Sequence, residues 1–85
     1  MMNNKDNIRL TIITPQETIF EGLVEKVELP GDKGSFMVLK NHAPVISSLS
    51  QGSIVYVSDG ELTRVAIRDG FVRVNNNEVV VCAER

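Results

Sequence analysis

The chain has 85 residues, of which 42% are hydrophobic and 24% are charged, and its formal net charge at pH 7 is −2. This length suits one small domain, and the composition excludes a disordered chain, which would combine low hydrophobicity with high net charge. The slightly acidic balance excludes the strongly basic surface that grips nucleic acid or an anionic membrane. Because there is a single cysteine, no internal disulfide can form, and a reducing compartment is favoured.

The first seven residues are polar and lack the apolar stretch that a signal peptide needs. No apolar run approaches the roughly 20 residues that span a bilayer. The sequence therefore predicts a polar leader over residues 1–7 and one domain over residues 8–85. We expect a soluble protein, or a peripheral one that is held by its partners.

The first half of the chain alternates as strands do. Ile8, Leu10 and Ile12 share one face of a strand over residues 8–14, and a short strand follows at residues 18–20. Over residues 23–29 the alternation predicts one strand whose buried side carries Leu23, Val27 and Leu29. A turn over residues 30–34 leads into an apolar run at residues 35–39.

The second half continues in the same way, with short apolar pieces between turn signals. Asp59-Gly60 lies between two alternating runs and predicts a hairpin, and Asp69-Gly70 predicts a second turn. Asn75-Asn76-Asn77 predicts a third turn, because asparagine tolerates left-handed backbone angles. The remaining predicted strands cover residues 45–49, 53–58, 62–68, 71–74 and 79–83. The whole chain thus predicts an all-β domain, an antiparallel β-sandwich or flattened barrel of nine or ten short strands.

Candidates for chemistry are few. His42 is the only histidine and could serve as a general base, but no nucleophile motif surrounds the neighbouring Ser47 or Ser48. One histidine and one cysteine cannot by themselves supply the three or four ligands of a metal site. We expect His42 to bond the backbone or a partner, Cys82 to act as a small buried hydrophobic residue, and the domain to need no metal or cofactor.

One alternative rests on Lys33. It stands in the turn Gly31-Asp32-Lys33-Gly34, and lipoyl or biotinyl carrier domains are β-sandwiches of similar length that bear their modified lysine on a hairpin tip. An ordinary solvated turn is the simpler interpretation of the same residues. A mass increment on Lys33 after treatment with a ligase would distinguish the two.

Three phrases carry a resemblance to a known family. They are FEGLVEKV at residues 20–27, the pattern GxxGxFxVLxxHAP at residues 31–44, and DGFVRV at residues 69–74 ahead of a valine-rich last strand. With them, the sequence resembles the epsilon subunit of F-type ATP synthase in its N-terminal β-sandwich domain, over about residues 8–84. The His-Ala-Pro phrase after a glycine-flanked turn is the most distinctive of the three.

The resemblance implies a non-catalytic rotor subunit of the central stalk. Such a subunit packs on the gamma subunit and rests on the membrane rotor ring of c subunits, and so couples ion translocation to ATP synthesis. It would bind neither a cofactor nor nucleic acid. Its place would be peripheral, on the cytoplasmic face of the bacterial inner membrane.

The resemblance also implies two sets of site residues. The set facing gamma consists of Ile19, Phe20, Val38, His42, Ala43, Pro44, Ile46 and Ser47. The set facing the ring consists of Gly31, Asp32, Lys33, Gly34, Ser35, Asp69 and Gly70.

The sequence departs from the family in two respects. Lys40-Asn41 stands where many members have Pro-Gly before His-Ala-Pro, and Asn41 is expected to adopt the left-handed angle that glycine would take. The two-helix C-terminal region that usually follows is not in this sequence. We therefore expect neither inhibition of ATP hydrolysis nor ATP sensing from these 85 residues.

Overall fold

The structure, a computed structural model, describes residues 7–85. In that part of the chain it contains strands and turns, with no helix and therefore none long and apolar enough to cross a membrane. The prediction of an all-β domain is confirmed. The nine strands are β1 (Ile8–Ile13), β2 (Thr18–Val24), β3 (Lys26–Gly31), β4 (Gly34–Val38), β5 (Val45–Leu49), β6 (Gly52–Ser58), β7 (Glu61–Ile67), β8 (Asp69–Asn75) and β9 (Glu78–Glu84).

The strands form one sheet that curls on itself. Their order is β2-β1-β9-β8-β5-β3-β6-β7, and β4 pairs with β3 off this path. Strands β5 and β6 both pair with β3, so that the sheet passes there from one half of the sandwich to the other. Every strand contributes to a single core, because alternate residues of each strand point inward. The innermost side chains include Leu10, Leu29, Ile54, Val72 and Val81, all fully buried.

The sheet is mixed, not purely antiparallel as the sequence predicted. Strand β1 pairs with β2 in the antiparallel sense but with β9 in the parallel sense, from Arg9 opposite Glu78 to Ile13 opposite Cys82. A parallel pair needs a long connection between its strands, and here that connection is almost the whole domain. Local sequence signals cannot show a pairing between the first strand and the last one.

The two Asp-Gly pairs have different outcomes. Asp59 and Gly60 form the predicted hairpin turn, with φ of 54° and 76°. Asp69 and Gly70 are not a turn, contrary to the prediction, because they begin β8 and pair with Glu84 and Ala83 of β9. The chain bends one residue earlier, at Arg68, whose backbone N–H donates to the Glu84 carbonyl over 2.7 Å.

The predicted single strand over residues 23–29 is also wrong. A bend at Glu25 separates β2 from β3, and the Glu25 N–H donates to the Val57 carbonyl over 2.7 Å. The bend changes the phase of the alternation, so that Val24 faces the core together with Val27, while Leu23 is only half-buried.

The strand registers define two ends of the sandwich. At the end that we call the turn end, Leu49 pairs with Gly31 on one side and with Gly70 on the other. At the opposite, corner end, Val45 pairs with Val74, beside the corner over residues 39–44 and the turn over residues 75–77. Strand β5 runs from one end to the other, and this positions the candidate site.

Candidate functional site

The turn between β3 and β4 is a tight hairpin. Gly31 pairs with Gly34, and Asp32 and Lys33 are exposed at its tip. A Cβ on Gly31 would lie 2.8 Å from the Gly34 carbonyl oxygen and 3.0 Å from the Phe36 ring, so a side chain has no room there. Gly34 has φ of 124°, a backbone conformation that side-chain-bearing residues rarely adopt.

The same turn is bonded to the end of β5. The Asp32 N–H donates to the Ser48 carbonyl over 3.1 Å, and the Ser50 N–H donates to the Pro30 carbonyl over 2.7 Å. The Ser50 hydroxyl also donates to Asp32 Oδ1 over 3.0 Å. The polar tip is therefore presented on a fixed backbone.

Asp69 and Gly70 lie at this end of the sandwich as well. Gly70 and Gly31 flank Leu49 on the two neighbouring strands, so their backbones are about 10 Å apart. A Cβ on Gly70 would lie 2.4 Å from the Cys82 carbonyl oxygen, which explains the glycine at this position. The structure thus brings the seven residues of the ring-facing set together at the turn end.

The corner over residues 39–44 closes on itself. The His42 N–H donates to the Leu39 carbonyl over 3.2 Å, and Asn41 has φ of 66°, the left-handed angle expected from the sequence. His42 is half-buried, with Nδ1 2.6 Å from the Ala43 carbonyl oxygen and its ring centroid 6.5 Å from that of Phe36. Ala43 and Pro44 are exposed and lead into β5.

The corner has no catalytic arrangement in the part of the chain that the structure describes. The Ser47 hydroxyl donates to the Ser48 carbonyl over 3.0 Å and not to the imidazole of His42. Among residues 7–85, no group of three His, Cys, Asp or Glu side chains could hold a metal ion.

The eight residues of the gamma-facing set do not form one surface. His42, Ala43 and Pro44 lie at the corner end, and Ile46 and Ser47 follow them on β5. Ile19 and Phe20 lie on β2, four strands away from β5 across the sheet. The Phe20 ring stacks on Tyr56 with centroids 4.4 Å apart, and Val38 is 1% exposed and belongs to the core.

An exposed apolar strip on the outer face was missed by the sequence reasoning, apart from Ile46. Cross-strand partners point to the same side of a sheet, and the registers place Ile46 opposite Arg73, Phe71 opposite Ser48 and Cys82 opposite both Phe71 and Ile13. Ile46 is 75% exposed and Phe71 is 52% exposed. Ile13, Val80 and Cys82 on the same face are half-buried, and Arg73 lies between Ile46 and Val80. We call this surface the outer strip; its apolar residues are Ile13, Ile46, Phe71, Val80 and Cys82.

Two residues of the outer strip, Cys82 and Phe71, bear on what the sequence could predict. Cys82 is half-buried on this face and is not the buried hydrophobic residue that was predicted, because its neighbours Val81 and Ala83 take the inward positions of β9. A cleft beside it is lined by Ile13, Pro15, Gly70, Phe71 and Cys82, among others. The available signal was Phe71, which is apolar but out of phase with the buried Val72 and Val74.

Fold and site together define a class of protein: a rigid all-β domain with a polar turn at one end, an irregular corner at the other, and an apolar outer strip that runs between the two ends. The family described as "ATP synthase, Delta/Epsilon chain, beta-sandwich domain" matches residues 7–85. The chain belongs to this family.

Named relatives agree with the family match. The chain is 37% identical over 79 residues to the ATP synthase epsilon chain of Maricaulis maris, a match that covers 93% of this chain and 59% of the relative. It is 40% identical over 79 residues to the ATP synthase epsilon chain of Symbiobacterium thermophilum, with coverages of 92% and 57%. The chain thus spans less than three fifths of the length of these relatives.

Solved structures share the fold. A chain in the Euglena gracilis mitochondrial ATP synthase, solved as an OSCP, F1 and c-ring assembly, superposes with a TM-score of 0.87 at 23% identity, over 93% of this chain and 51% of that one. A chain from the central stalk and c-ring of the Tetrahymena thermophila mitochondrial enzyme gives 0.75 at 12% identity, over 91% and 63%. At these identities the likeness concerns the fold alone.

Proposed function

We propose that these residues act as the β-sandwich domain of an ATP synthase epsilon chain, a non-catalytic component of the rotor. The domain binds the gamma subunit and the ring of c subunits, and helps to couple ion movement through the ring to ATP synthesis. Membership of the family supports this proposal. The observation that carries it is the outer strip, because an apolar surface of this kind marks a site of protein contact.

The gamma subunit is proposed to bind at the corner and along the adjoining outer strip. Ala43 and Pro44 are exposed at the corner, and Ile46 continues their surface onto β5. Phe71 lies diagonally from Ile46 on the neighbouring strand, within reach of the same partner. Ile19 and Phe20 would contribute at a separate place, and Val38 would contribute through the core that supports the corner.

The ring of c subunits is proposed to contact the turn end. Its exposed groups are the side chains of Asp32, Lys33 and Ser35, which suit a polar partner surface. Asp69 is exposed beside them at the start of β8.

Strand β5 joins the two proposed contacts. Pro44 of the corner precedes Val45 directly, while Gly31 and Asp32 of the turn are bonded to Leu49 and Ser48. Residues 45–49 span about 17 Å of extended backbone and pair with β8 along their length. A force applied at one contact would reach the other through a hydrogen-bonded strand.

Binding to gamma is the first test. We expect the chain to co-purify in a stoichiometric complex with tagged gamma subunit from the same organism. Phe71→Asp and Ile46→Asp should each weaken the complex at least tenfold, because a charge would be buried against an apolar partner.

Leu62→Asp provides the matched control. Leu62 is 54% exposed on β7, in the other half of the sandwich, so its replacement alters a similar apolar surface away from the proposed contact. Equal weakening by Leu62→Asp and Phe71→Asp would contradict the proposed face. Failure of the unaltered chain to bind gamma under any salt condition would contradict the function.

A second test concerns the effect of the domain on ATP hydrolysis and its location in the cell. When these 85 residues are added to the ATP synthase of the same organism, we expect improved assembly and coupling without strong inhibition of ATP hydrolysis. In the cell we expect them on the cytoplasmic face of the bacterial inner membrane, held by the complex. Potent inhibition at stoichiometric amounts would contradict the first expectation. The carrier alternative on Lys33 is not proposed further, because the relatives named above are epsilon chains.

A further inference from the structure

The corner is bonded to a turn that is far from it in sequence. The Asn41 N–H donates to Oδ1 of Asn77 over 2.6 Å, and the Asn77 amide group donates to Oδ1 of Asn41 over 3.4 Å. Asn77 belongs to the turn between β8 and β9, 36 residues along the chain. The two side chains thus form a reciprocal pair between the corner and this turn.

Both members of the pair have left-handed backbones. Asn41 has φ of 66° and Asn77 has φ of 63°. Asparagine tolerates this conformation better than other side-chain-bearing residues, and glycine adopts it with no side chain to offer. Asparagine therefore supplies both the backbone angle and the amide group at each position.

Asn77 is also bonded to the first strand of the sheet. Its backbone carbonyl accepts the Arg9 N–H over 3.0 Å, at the start of β1. This bond ties the backbone of Asn77 to the sheet, and the side chain that reaches the corner starts from this fixed backbone. Within the corner, the 3.2 Å bond from the His42 N–H to the Leu39 carbonyl closes the turn.

We infer that Asn77 is a positioning residue for the corner. Its side chain holds Asn41 in the left-handed conformation that presents His42, Ala43 and Pro44 to a protein partner. The partner is the gamma subunit, and in this respect the inference rests on the proposed function. The conformation of the corner itself does not depend on that assignment. Asn77 lies outside both sets of partner-facing residues and acts through Asn41.

The sharpest test uses Asn77→Gly. Glycine keeps the left-handed angle and the carbonyl that binds Arg9, and removes only the amide group. We expect the Asn41 amide proton to exchange about fivefold faster in hydrogen-exchange measurements by NMR, the change that one lost hydrogen bond produces. The Arg9 amide proton should be unaffected. Binding of gamma should weaken by a similar factor.

Two further variants separate positioning from general stability. Asn77→Asp keeps an oxygen that can accept the Asn41 N–H, and should restore both the protection of Asn41 and the affinity. Asn76→Gly alters the adjacent turn residue, whose φ is 56°, and should leave both properties unchanged. The inference is overturned if Asn77→Gly leaves the exchange of Asn41 unchanged, if it binds gamma as the unaltered chain does, or if Asn76→Gly weakens binding equally. A chain that does not bind gamma at all refutes the proposed function, while the exchange of Asn41 still decides whether Asn77 orders the corner.

Discussion

The turn over residues 31–35 and the corner over residues 39–44 both present residues to proposed partners, yet they are held in different ways. The turn is held by its backbone, through the Gly31–Gly34 pair and the bonds of Pro30 and Asp32 to β5. The corner is held largely by side chains, through Asn41 and Asn77 and through Lys40 Nζ, which donates to the Asn7 carbonyl over 3.4 Å.

Because of this difference, substitutions in the turn should affect the stability of the domain, and substitutions in the corner should affect the shape of the surface that it offers to a partner. A change in the turn disturbs the sheet and should lower the free energy of unfolding. A change in the corner should alter its shape while most of the sheet remains intact. Three substitutions test this distinction, and Gly31→Ala has the largest expected effect.

Gly31→Ala should lower the free energy of unfolding by about 2–3 kcal/mol, because its Cβ would meet the Gly34 carbonyl oxygen at 2.8 Å and the backbone would have to shift. Urea unfolding followed by circular dichroism measures the change. Ser35→Ala, in the same hairpin and exposed, is the control and should change stability by less than about 0.5 kcal/mol. An unchanged urea midpoint for Gly31→Ala would show that the turn is not held by its backbone.

Asn41→Ala should cost about 1–2 kcal/mol, since alanine opposes the left-handed angle and removes the amide group. Asn41→Gly keeps the angle and should cost less than Asn41→Ala. Urea unfolding of both variants, combined with their affinity for gamma, measures the two contributions. If both variants lose equal stability, the left-handed angle is not what asparagine supplies at the corner.

Ser50→Ala should have the smallest effect, about 0.5–1 kcal/mol, because it removes one exposed side-chain bond to Asp32 and leaves the backbone bonds of the turn in place. Thermal unfolding is sensitive enough to detect it. A loss as large as that of Gly31→Ala would mean that side chains hold the turn as they hold the corner.

The sequence predicted the positions of most strands well, but it predicted less well where the chain turns and which residues of a strand face the core. Nearly every strand was anticipated, and the hairpin at Asp59-Gly60 is confirmed. Asp69-Gly70 carries the same local signal but pairs with β9, since distant strands determine whether a dipeptide turns or extends. Alternation across Glu25 failed for the same reason, because the bend there depends on a bond to Val57.

At the candidate site, backbone conformations were predictable where glycine and asparagine impose backbone angles. The left-handed Asn41 is an example. The outer strip was harder to predict, because Val79, Val80, Val81 and Cys82 are all apolar and alternation cannot assign their faces. The bond between Asn41 and Asn77 could not be predicted at all, since nothing local links a corner to a turn 36 residues away.

The parallel pair of β1 and β9 has a consequence for the folding of the domain during its synthesis. The first strand has its long-range partner in the last one, so the curled sheet cannot close until residues 78–82 have left the ribosome. Folding then requires the closure of a loop that is nearly as long as the domain, which is slow compared with the formation of local hairpins. During synthesis, the nascent chain can form hairpins such as β6 with β7, but it acquires its complete surface only once its last strand is free.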